Sequence, residues 1–210
     1  MSAQPRGGIV DLIRHGEPVG GQRYRGQIDD PLSDLGWRQM WAAVGESHPW
    51  SHIVTSPLSR CRAFATALSE RHGIPLSEEP RFREVRFGTW EGRNRRDLEA
   101  HAAAEVERFY RDPLGNRPEG AEPLDAFVDR VQAGWDEWLE GHGAAHTLLV
   151  GHAGVIRAVL HRVLGFPLDH LYRVNVPNAG ITRISLRPDR PATLLFHGGR
   201  MPDEGAADGL

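Results

Sequence analysis

The chain of 210 residues contains no lysine, so all 25 of its basic residues are arginines. Without lysine, the side chains cannot form a Schiff base, and the chain lacks the lysine with which a P-loop binds nucleotide phosphates. It also contains a single cysteine, Cys61, which excludes a disulfide within the chain and a cysteine-rich zinc site. Covalent catalysis through lysine, P-loop chemistry and a disulfide framework are therefore excluded.

Long apolar runs and an excess of positive charge are also missing. No stretch reaches the roughly 20 apolar residues that a membrane-spanning helix needs. Nothing near the first residue resembles a signal peptide, since the first apolar run is short and Asp11 interrupts it. The net charge of −3 argues against non-specific binding of nucleic acid. We therefore expect a cytoplasmic protein that binds neither nucleic acid nor membrane.

Short apolar segments alternate with amphipathic helical patterns along the whole chain, and no linker or repeat divides it. Such alternation is typical of an α/β fold, and it predicts three α/β/α layers around a mostly parallel central sheet. We expect a single domain over residues 1–210, with a helical lid insertion at about 92–124 and a flexible tail at 198–210. Strands are expected at residues 8–13, 52–56, 147–151, 181–186 and 193–196, and extended chain at 74–84. Helices are expected at residues 58–68, 97–111 and 124–139. Two more are expected, one capped by Ser33 or Asp34 that carries Leu35 and Val44, and one after the third strand that carries Val155 and Val163.

Three of the predicted strands end in residue types that bind or transfer phosphate. Arg14 and His15 follow the first strand, Arg60 lies just beyond the second, and His152 follows the third. A guanidinium binds phosphate through two hydrogen bonds, and a neutral imidazole is a nucleophile. Arg60 also falls in the first turn of a helix, where free N–H groups attract anions. Because ligands bind beyond the C-terminal ends of parallel strands, we expect these four side chains to meet at one sheet edge.

Four short blocks carry a resemblance to a known family. They are Arg14-His15-Gly16-Glu17, residues 56–61 (SPLSRC), residues 84–92 (EVRFGTWEG) and residues 150–154 (VGHAG). In order and spacing these blocks resemble the signature of the histidine phosphatase superfamily, which is also called the phosphoglycerate mutase-like family. The resemblance spans residues 9–186 and implies a metal-independent phosphatase that needs no cofactor.

The resemblance also implies a role for each residue. His15 is implied as the nucleophile that becomes phosphorylated, while Arg14, Arg60 and His152 hold the phosphoryl group. Glu84 is implied as the acid that protonates the leaving oxygen and then as the base that activates water. This chemistry requires a neutral His15, and His152 is expected to work as a cation. Two nearby imidazoles can have opposite charge states only if their environments differ. Glu84 must hold a proton near neutrality.

Substrate contacts are expected from residues around these blocks. Gly16 allows the backbone to approach a ligand closely, and Ala153 follows the second histidine. Where family members commonly carry a threonine and a phosphate-contacting asparagine, this chain has Pro18 and Gly21. We therefore expect Arg25 and Gln27, which follow in the same loop, to supply contacts to the substrate together with Gly16 and Ala153.

The substrate is expected to be a small phosphorylated metabolite. Residues 87–98 are similar to the corresponding stretch of alpha-ribazole phosphatases, so alpha-ribazole 5′-phosphate is one candidate. Three alternatives stay open: a phosphoglycerate mutase-type phosphotransferase, a non-catalytic module that binds phosphate, and a metallohydrolase. No histidine spacing supports a metal site. A homodimer is one expectation for its assembly.

Overall fold

The computed structural model describes residues 7–46 and 48–201. Its strands are β1 Gly8–Arg14, β2 His52–Thr55, β3 Leu76–Glu78, β4 His146–Gly151, β5 Ile181–Arg187 and β6 Arg190–Gly199. Its α-helices are α1 Asp34–Val44, α2 Ser59–His72, α3 Arg95–Arg111, α4 Leu124–His142 and α5 Ala153–Leu164.

The strands form one mixed sheet in the order β3-β2-β4-β1-β5-β6. β3, β2, β4 and β1 are parallel, while β5 runs antiparallel to β1 and to β6. β1 and β4 are central and almost entirely buried, in keeping with their near-continuous apolar sequences. The predicted mostly parallel sheet is confirmed.

Helices cover both faces of this sheet. On one face, Val10 and Leu12 of β1 pack in a core with side chains of α3, α4 and α5. On the other face, Ile13 packs with side chains of α1 and α2. Since successive side chains of a strand point to opposite faces, one short apolar strand supplies both cores. The predicted three-layer arrangement is confirmed.

One charged side chain is buried in the middle of the central sheet. Asp11, in the middle of β1, is fully buried. Its carboxylate accepts hydrogen bonds from Trp50 Nε1 (2.8 Å), His146 Nε2 (2.8 Å) and two nitrogens of Arg183 (2.7 and 2.9 Å). Burial acts to raise the pKa of Asp11, but the hydrogen bonds from His146 and Arg183 outweigh it and lower that pKa. The carboxylate therefore stays ionised and joins β1, β4 and β5.

The segment expected to form a lid contains α3. Its first turn is capped by Asn94, whose side chain accepts a hydrogen bond from the Asp97 N–H (2.8 Å). Leu98 and Phe109 are buried in the core that also holds α4 and α5. The backbone leaves helical geometry at Ala102 (φ −146°, ψ 36°), which divides α3 into two parts. The predicted helix is confirmed, and its movement as a lid stays a prediction.

The expectation of extended chain over residues 74–84 is correct only for β3. Pro80 opens a 3-10 turn that runs through Phe82. Proline is pre-organised for the first position of a helical turn. The Glu79 carboxylate accepts the Arg81 N–H (2.9 Å), so the extended chain ends at this cap.

The expectation of a flexible tail is wrong for its first residues. β6 continues to Gly199, and the Met201 N–H donates a hydrogen bond to the Ala43 carbonyl oxygen (2.9 Å). Met201 also packs against the core formed with α1 and α2. The rest of the expected tail, 202–210, lies outside the described residues.

Candidate active site

The sheet itself brings the two candidate histidines together. β1 and β4 are parallel neighbours in which Arg14 lies opposite Gly151. The His15 N–H continues this ladder by donating to the Gly151 carbonyl oxygen (2.9 Å). As a result, the rings of His15 and His152 meet edge to face, with their centroids 5.3 Å apart. The expectation that these strand ends share one edge is confirmed.

The surroundings of His15 favour a neutral ring with one free nitrogen. Its Nδ1 lies 2.7 Å from the Gly16 carbonyl oxygen, which only accepts hydrogen bonds, so Nδ1 carries the proton. Burial lowers the pKa of His15 well below its ordinary value, and the nearby charges of Arg14 and Arg60 lower it further. At neutral pH the Nε2 lone pair is therefore available for nucleophilic attack.

Gly16 serves a packing need at this point. A Cβ at Gly16 would clash with the backbone of Gly36 in α1, so only glycine allows the chain to pass there. The main chain of Gly16 then orients His15 through its carbonyl oxygen. Ala153, the first residue of α5, does line the cavity in front of His15.

Arg14 and Arg60 are anchored beside His15, and each keeps a free donor. Arg14 donates from Nη1 to the Val176 carbonyl oxygen (2.6 Å), and Arg60 donates to those of Gly26 and Ile28 (both 2.8 Å). The Nε atom of each is buried and has no hydrogen-bond partner among the described residues. Two held guanidiniums with spare donors make a binding site for a tetrahedral anion.

Around His15, arginine side chains outnumber carboxylates. Burial lowers the pKa of Arg14 to about 10; Glu84 opposes this, and the charges of Arg157 and Arg60 add to it. Arg14 therefore remains a cation at neutral pH. The site is electropositive and complementary to a phosphate group.

The first turn of α2 does not contribute to anion binding as expected. The Ser59 N–H donates to the Asp29 carboxylate (2.6 Å), and the Asp29 carbonyl oxygen also accepts from the Ser59 hydroxyl (3.3 Å). This end of the helix is therefore already capped by a negative charge. The side chain of Arg60 nevertheless lines the cavity in front of His15.

Glu84 is held at the cavity by two backbone donors. Its Oε1 accepts the Val85 N–H (2.9 Å), and its Oε2 accepts the Gly154 N–H (3.2 Å) in the first turn of α5. The side chain is 9% exposed and lines the cavity beside His15. A Cβ at Gly154 would clash with Oε1 of Glu84, so this glycine is a condition for the position of the acid.

His152 lies in surroundings that oppose a positive charge. Burial lowers its pKa well below the ordinary value, and the charges of Arg60 and His15 add to this effect. The lowered pKa favours a neutral ring at neutral pH, whereas the expected cation concerns His152 when it holds a phosphoryl group, and that expectation stays a prediction. Both histidines share one buried, arginine-rich environment. His152 Nε2 and Ser56 Oγ form a hydrogen bond (2.8 Å), which fixes the ring.

Arg25 and Gln27, in the loop after the first block, were expected to contact the substrate, and the structure places one of them at the cavity. Arg25 lines the cavity, although Asp30 (3.0 Å) and the Val19 carbonyl oxygen (2.7 Å) bind its guanidinium. Gln27 does not line the cavity. Its backbone N–H donates to Glu91 Oε1 (3.3 Å) after the turn at Gly26 (φ +50°).

The cavity in front of His15 has a volume of 1220 Å³ and is strongly basic. Its lining includes the eight arginines Arg14, Arg23, Arg25, Arg60, Arg95, Arg96, Arg157 and Arg173. Three glutamates also line it: Glu17, Glu84 and Glu99. The excess of arginine extends well past the phosphate site, so the walls favour an anionic ligand.

Aromatic side chains form another part of the wall. Tyr24, Phe87, Tyr110 and Tyr172 line the cavity. The hydroxyls of Tyr24 and Tyr110 are 2.6 Å apart, and this hydrogen bond joins the loop after β1 to α3. A ring in the substrate has an aromatic surface to pack against on this side.

Several lining residues were not among the expected contacts. Arg157 comes from α5 and Tyr172 from the turn that follows it, and the sequence analysis gave neither residue a role. Arg157 carried a signal, because it lies one turn beyond Ala153 in a helix whose other early residues are apolar. Tyr172 carried none, since its position depends on how the chain returns to the sheet.

Neither a metal cluster nor a membrane span is found in the described part of the chain. Over residues 7–46 and 48–201, no three histidine, cysteine or acidic side chains are arranged to hold a metal ion. In the same ranges, no helix is both long and apolar enough to cross a bilayer.

Comparison with known proteins gives one family and several relatives. The model of the histidine phosphatase superfamily (branch 1) matches residues 10–197. A glucosyl-3-phosphoglycerate phosphatase of Mycolicibacterium vanbaalenii is 34% identical over 172 residues, which cover 76% of this chain and 75% of that protein. A Yersinia pestis protein named "Probable phosphoglycerate mutase GpmB" is 29% identical over 184 residues, which cover 83% of each chain.

Solved structures agree with this assignment. A mycobacterial glucosyl-3-phosphoglycerate phosphatase in complex with VO3 superposes with a TM-score of 0.80 at 27% identity, over 91% of this chain and 98% of that one. The alpha-ribazole phosphatase of Shigella flexneri superposes with a TM-score of 0.78 at 24% identity, over 93% and 99%. The second likeness concerns the fold.

Proposed function

The chain belongs to branch 1 of the histidine phosphatase superfamily, and we propose that it hydrolyses a small phosphate monoester through a phosphohistidine formed at His15 Nε2. The observation that carries the proposal is a free imidazole nitrogen beside two anchored guanidiniums with spare donors. Phosphoryl transfer depends mainly on positioning and on stabilisation of negative charge. This arrangement supplies both.

In the first step, His15 Nε2 attacks phosphorus and the ester bond to the leaving oxygen breaks. Arg14 and Arg60 bind the non-bridging oxygens, and His152 donates a hydrogen bond beside them. Glu84, held by the N–H groups of Val85 and Gly154, gives its proton to the leaving oxygen. The products of this step are the alcohol and phosphohistidine.

In the second step, water attacks phosphorus and the bond to Nε2 breaks. Glu84, now a carboxylate, takes a proton from this water. His15 returns to its neutral form, with Nδ1 still donating to the Gly16 carbonyl oxygen. The cycle uses only side chains of this protein and requires no metal.

Two substrates have specific support. Residues 87–98 resemble alpha-ribazole phosphatases, and the tyrosines on the wall suit a ring, so alpha-ribazole 5′-phosphate is one candidate. The relative named as a glucosyl-3-phosphoglycerate phosphatase and the eight arginines of the cavity support a phosphorylated acid. Phosphoglycerate mutase-type transfer is the second candidate activity, supported by the GpmB relative.

The test is phosphate release in the presence of EDTA from an aryl phosphate, alpha-ribazole 5′-phosphate, glucosyl-3-phosphoglycerate and 3-phosphoglycerate. We expect release to persist in EDTA and to vanish in His15→Ala. In Glu84→Gln, we expect turnover of alkyl phosphates to fall by about 100-fold or more and that of the aryl phosphate to fall less. Loss of activity with EDTA, or equal slowing of alkyl and aryl esters, contradicts the proposal.

A further inference from the structure

Arg157 lies in the cavity as an anchored cation without a carboxylate partner. It belongs to α5, one turn after Ala153, and its side chain is partly buried. Its Nε donates to the Val174 carbonyl oxygen (2.8 Å), and its guanidinium carbon lies 5.3 Å from the centroid of the Tyr172 ring. It forms no salt bridge with any described residue, and its two Nη groups remain available.

The spacing between Arg157 and Arg14 is set by one segment of backbone. Arg157 is bound to the carbonyl oxygen of Val174 and Arg14 to that of Val176. Val174 is extended (φ −85°, ψ 115°). The two carbonyl oxygens that anchor the guanidiniums are therefore only two residues apart in sequence, on one short segment. Two guanidiniums are therefore held side by side along the cavity wall.

This arrangement is costly unless an anion binds there. The charge of Arg157 is one cause of the lowered pKa of Arg14, so the two cations repel each other. A structural role for Arg157 would be served by a carboxylate partner or by hydrogen bonds from every nitrogen. Instead, Val174 anchors only the Nε atom of Arg157, and the Tyr172 ring packs against its guanidinium. The two Nη groups are therefore pre-organised to bind a ligand in the cavity.

Resting on the proposed phosphatase activity, we propose that Arg157 is a specificity-determining residue that binds a second anionic group of the substrate. That group is a carboxylate or another phosphate on the same molecule. Arg173 and Asn175, on the same return segment, line the cavity next to it. The preferred substrate is then a phosphate ester that carries a second anionic group. A phosphorylated nucleoside without such a group is disfavoured.

A matched pair of substrates tests the proposal. 3-Phosphoglycerate and glycerol 3-phosphate have the same primary phosphate ester and differ only by a carboxylate in place of a hydroxymethyl group. We expect wild-type protein to prefer 3-phosphoglycerate by about ten-fold or more in kcat/KM, the value of one good charged hydrogen bond. Arg157→Gln is expected to bring this ratio close to one, and Arg157→Lys to give a value in between.

The control is Arg162→Gln, which removes an exposed arginine of the same helix that pairs with Asp136 outside the cavity. Its ratio is expected to equal that of the wild type. A wild-type ratio near one, or a ratio that Arg157→Gln leaves unchanged, overturns the inference. Turnover of an aryl phosphate that depends on His15 separates the two claims: its absence overturns the proposed function and the inference with it, and its presence leaves the ratio to decide the inference alone.

Discussion

His15 and His152 are both buried close to arginines that lower their pKa values. A neutral ring suits the proposed attack by His15, but the same arginines, Arg14 and Arg60, also oppose protonation of His152. A phosphate dianion favours the charged form of a neighbouring imidazole. Under the proposed function, binding of substrate therefore favours protonation of His152, and the two nearby rings titrate as a pair.

The lowered pKa values predict that folding stability falls in weak acid. Below about pH 6.5, His15 and His152 bind protons in the unfolded chain but stay neutral in the folded protein. The free energy of unfolding therefore decreases as pH falls. Each histidine contributes up to about 1.4 kcal/mol per pH unit until its folded pKa is reached. Urea unfolding between pH 7.5 and 5 measures this slope.

His15→Gln and His152→Gln each remove one buried titrating ring. Both variants are expected to lose less stability than the wild type as the pH falls below 6.5. Their free energies of unfolding are expected to differ less from that of the wild type at neutral pH than in acid. Curves that run parallel to the wild type across this range contradict neutral histidines in the folded site.

Gly154 gives a second prediction at the scale of one residue. In Gly154→Ala, the new methyl group occupies the position of Glu84 Oε1, so the acid must move. We expect turnover of alkyl phosphates to fall by about 100-fold and that of aryl phosphates, which need less protonation, to fall less. The control is Gly141→Ala in α4, where the methyl group meets open space. Equal loss for both esters argues against displacement of the acid.

At the scale of elements, α4 holds the segment that carries Glu84. Arg130 of α4 donates to the carbonyl oxygens of Arg83 (2.9 Å) and Glu84 (3.2 Å), and its Nε binds the Glu122 carboxylate (2.7 Å). One side chain thus joins the helix to the backbone before and after the acid. Arg130 does not line the cavity, so we expect it to act as a positioning residue.

Arg130→Met keeps much of the apolar stem and removes these hydrogen bonds. We expect the free energy of unfolding to fall by about 2–3 kcal/mol, and the ratio of alkyl to aryl turnover to fall as it does when Glu84 is displaced. The second readout separates positioning from general stability. Asp129→Asn, an exposed neighbour on the same helix, serves as the control, and an unchanged ratio in Arg130→Met refutes the positioning role.

The elements that were predicted correctly are those whose information is local. β1 and β4 are near-continuous apolar runs, and the residues that follow each run had to lie at the sheet edge, which placed His15 and His152. Gln27 failed because its direction depends on the turn at Gly26 and on Glu91, more than 60 residues away in sequence. The capping of α2 by Asp29 was likewise a contact between distant segments.

Other errors had the same origin. The last residues of β6 are polar and glycine-rich, yet pairing with β5 and the bond from Met201 to Ala43 order them. The lowered pKa of His152, which the sequence did not indicate, follows from burial among arginines that come from three different elements. Arg157 and Tyr172 reach the cavity only through the return of the chain after α5.

At the scale of the whole molecule, stability and chemistry are located in different places. The ion pair of Asp11 and Arg183 lies in the middle of the sheet, while the phosphate site lies at the strand ends. Breaking a buried pair by removing one partner leaves an uncompensated charge. The sheet interior can therefore be weakened without touching the cavity.

Asp11→Asn tests this separation. We expect the free energy of unfolding to fall by about 3–5 kcal/mol, because Arg183 keeps its charge in a largely buried position. The kcat of the folded fraction at low temperature is expected to match the wild type. A variant of normal stability, or one that folds fully and has lost activity, contradicts this division.

The central claim is that His15 carries the phosphoryl group, and trapping the intermediate tests it most directly. The protein is mixed with substrate, quenched in alkali, digested and mapped by mass spectrometry, with Glu84→Gln included to slow the second step. The account predicts one phosphoryl group on the peptide that contains His15, stable in alkali, lost in acid and absent from His15→Ala. Continuing turnover with no phosphorylated peptide, or a phosphoryl group on another residue, would contradict it.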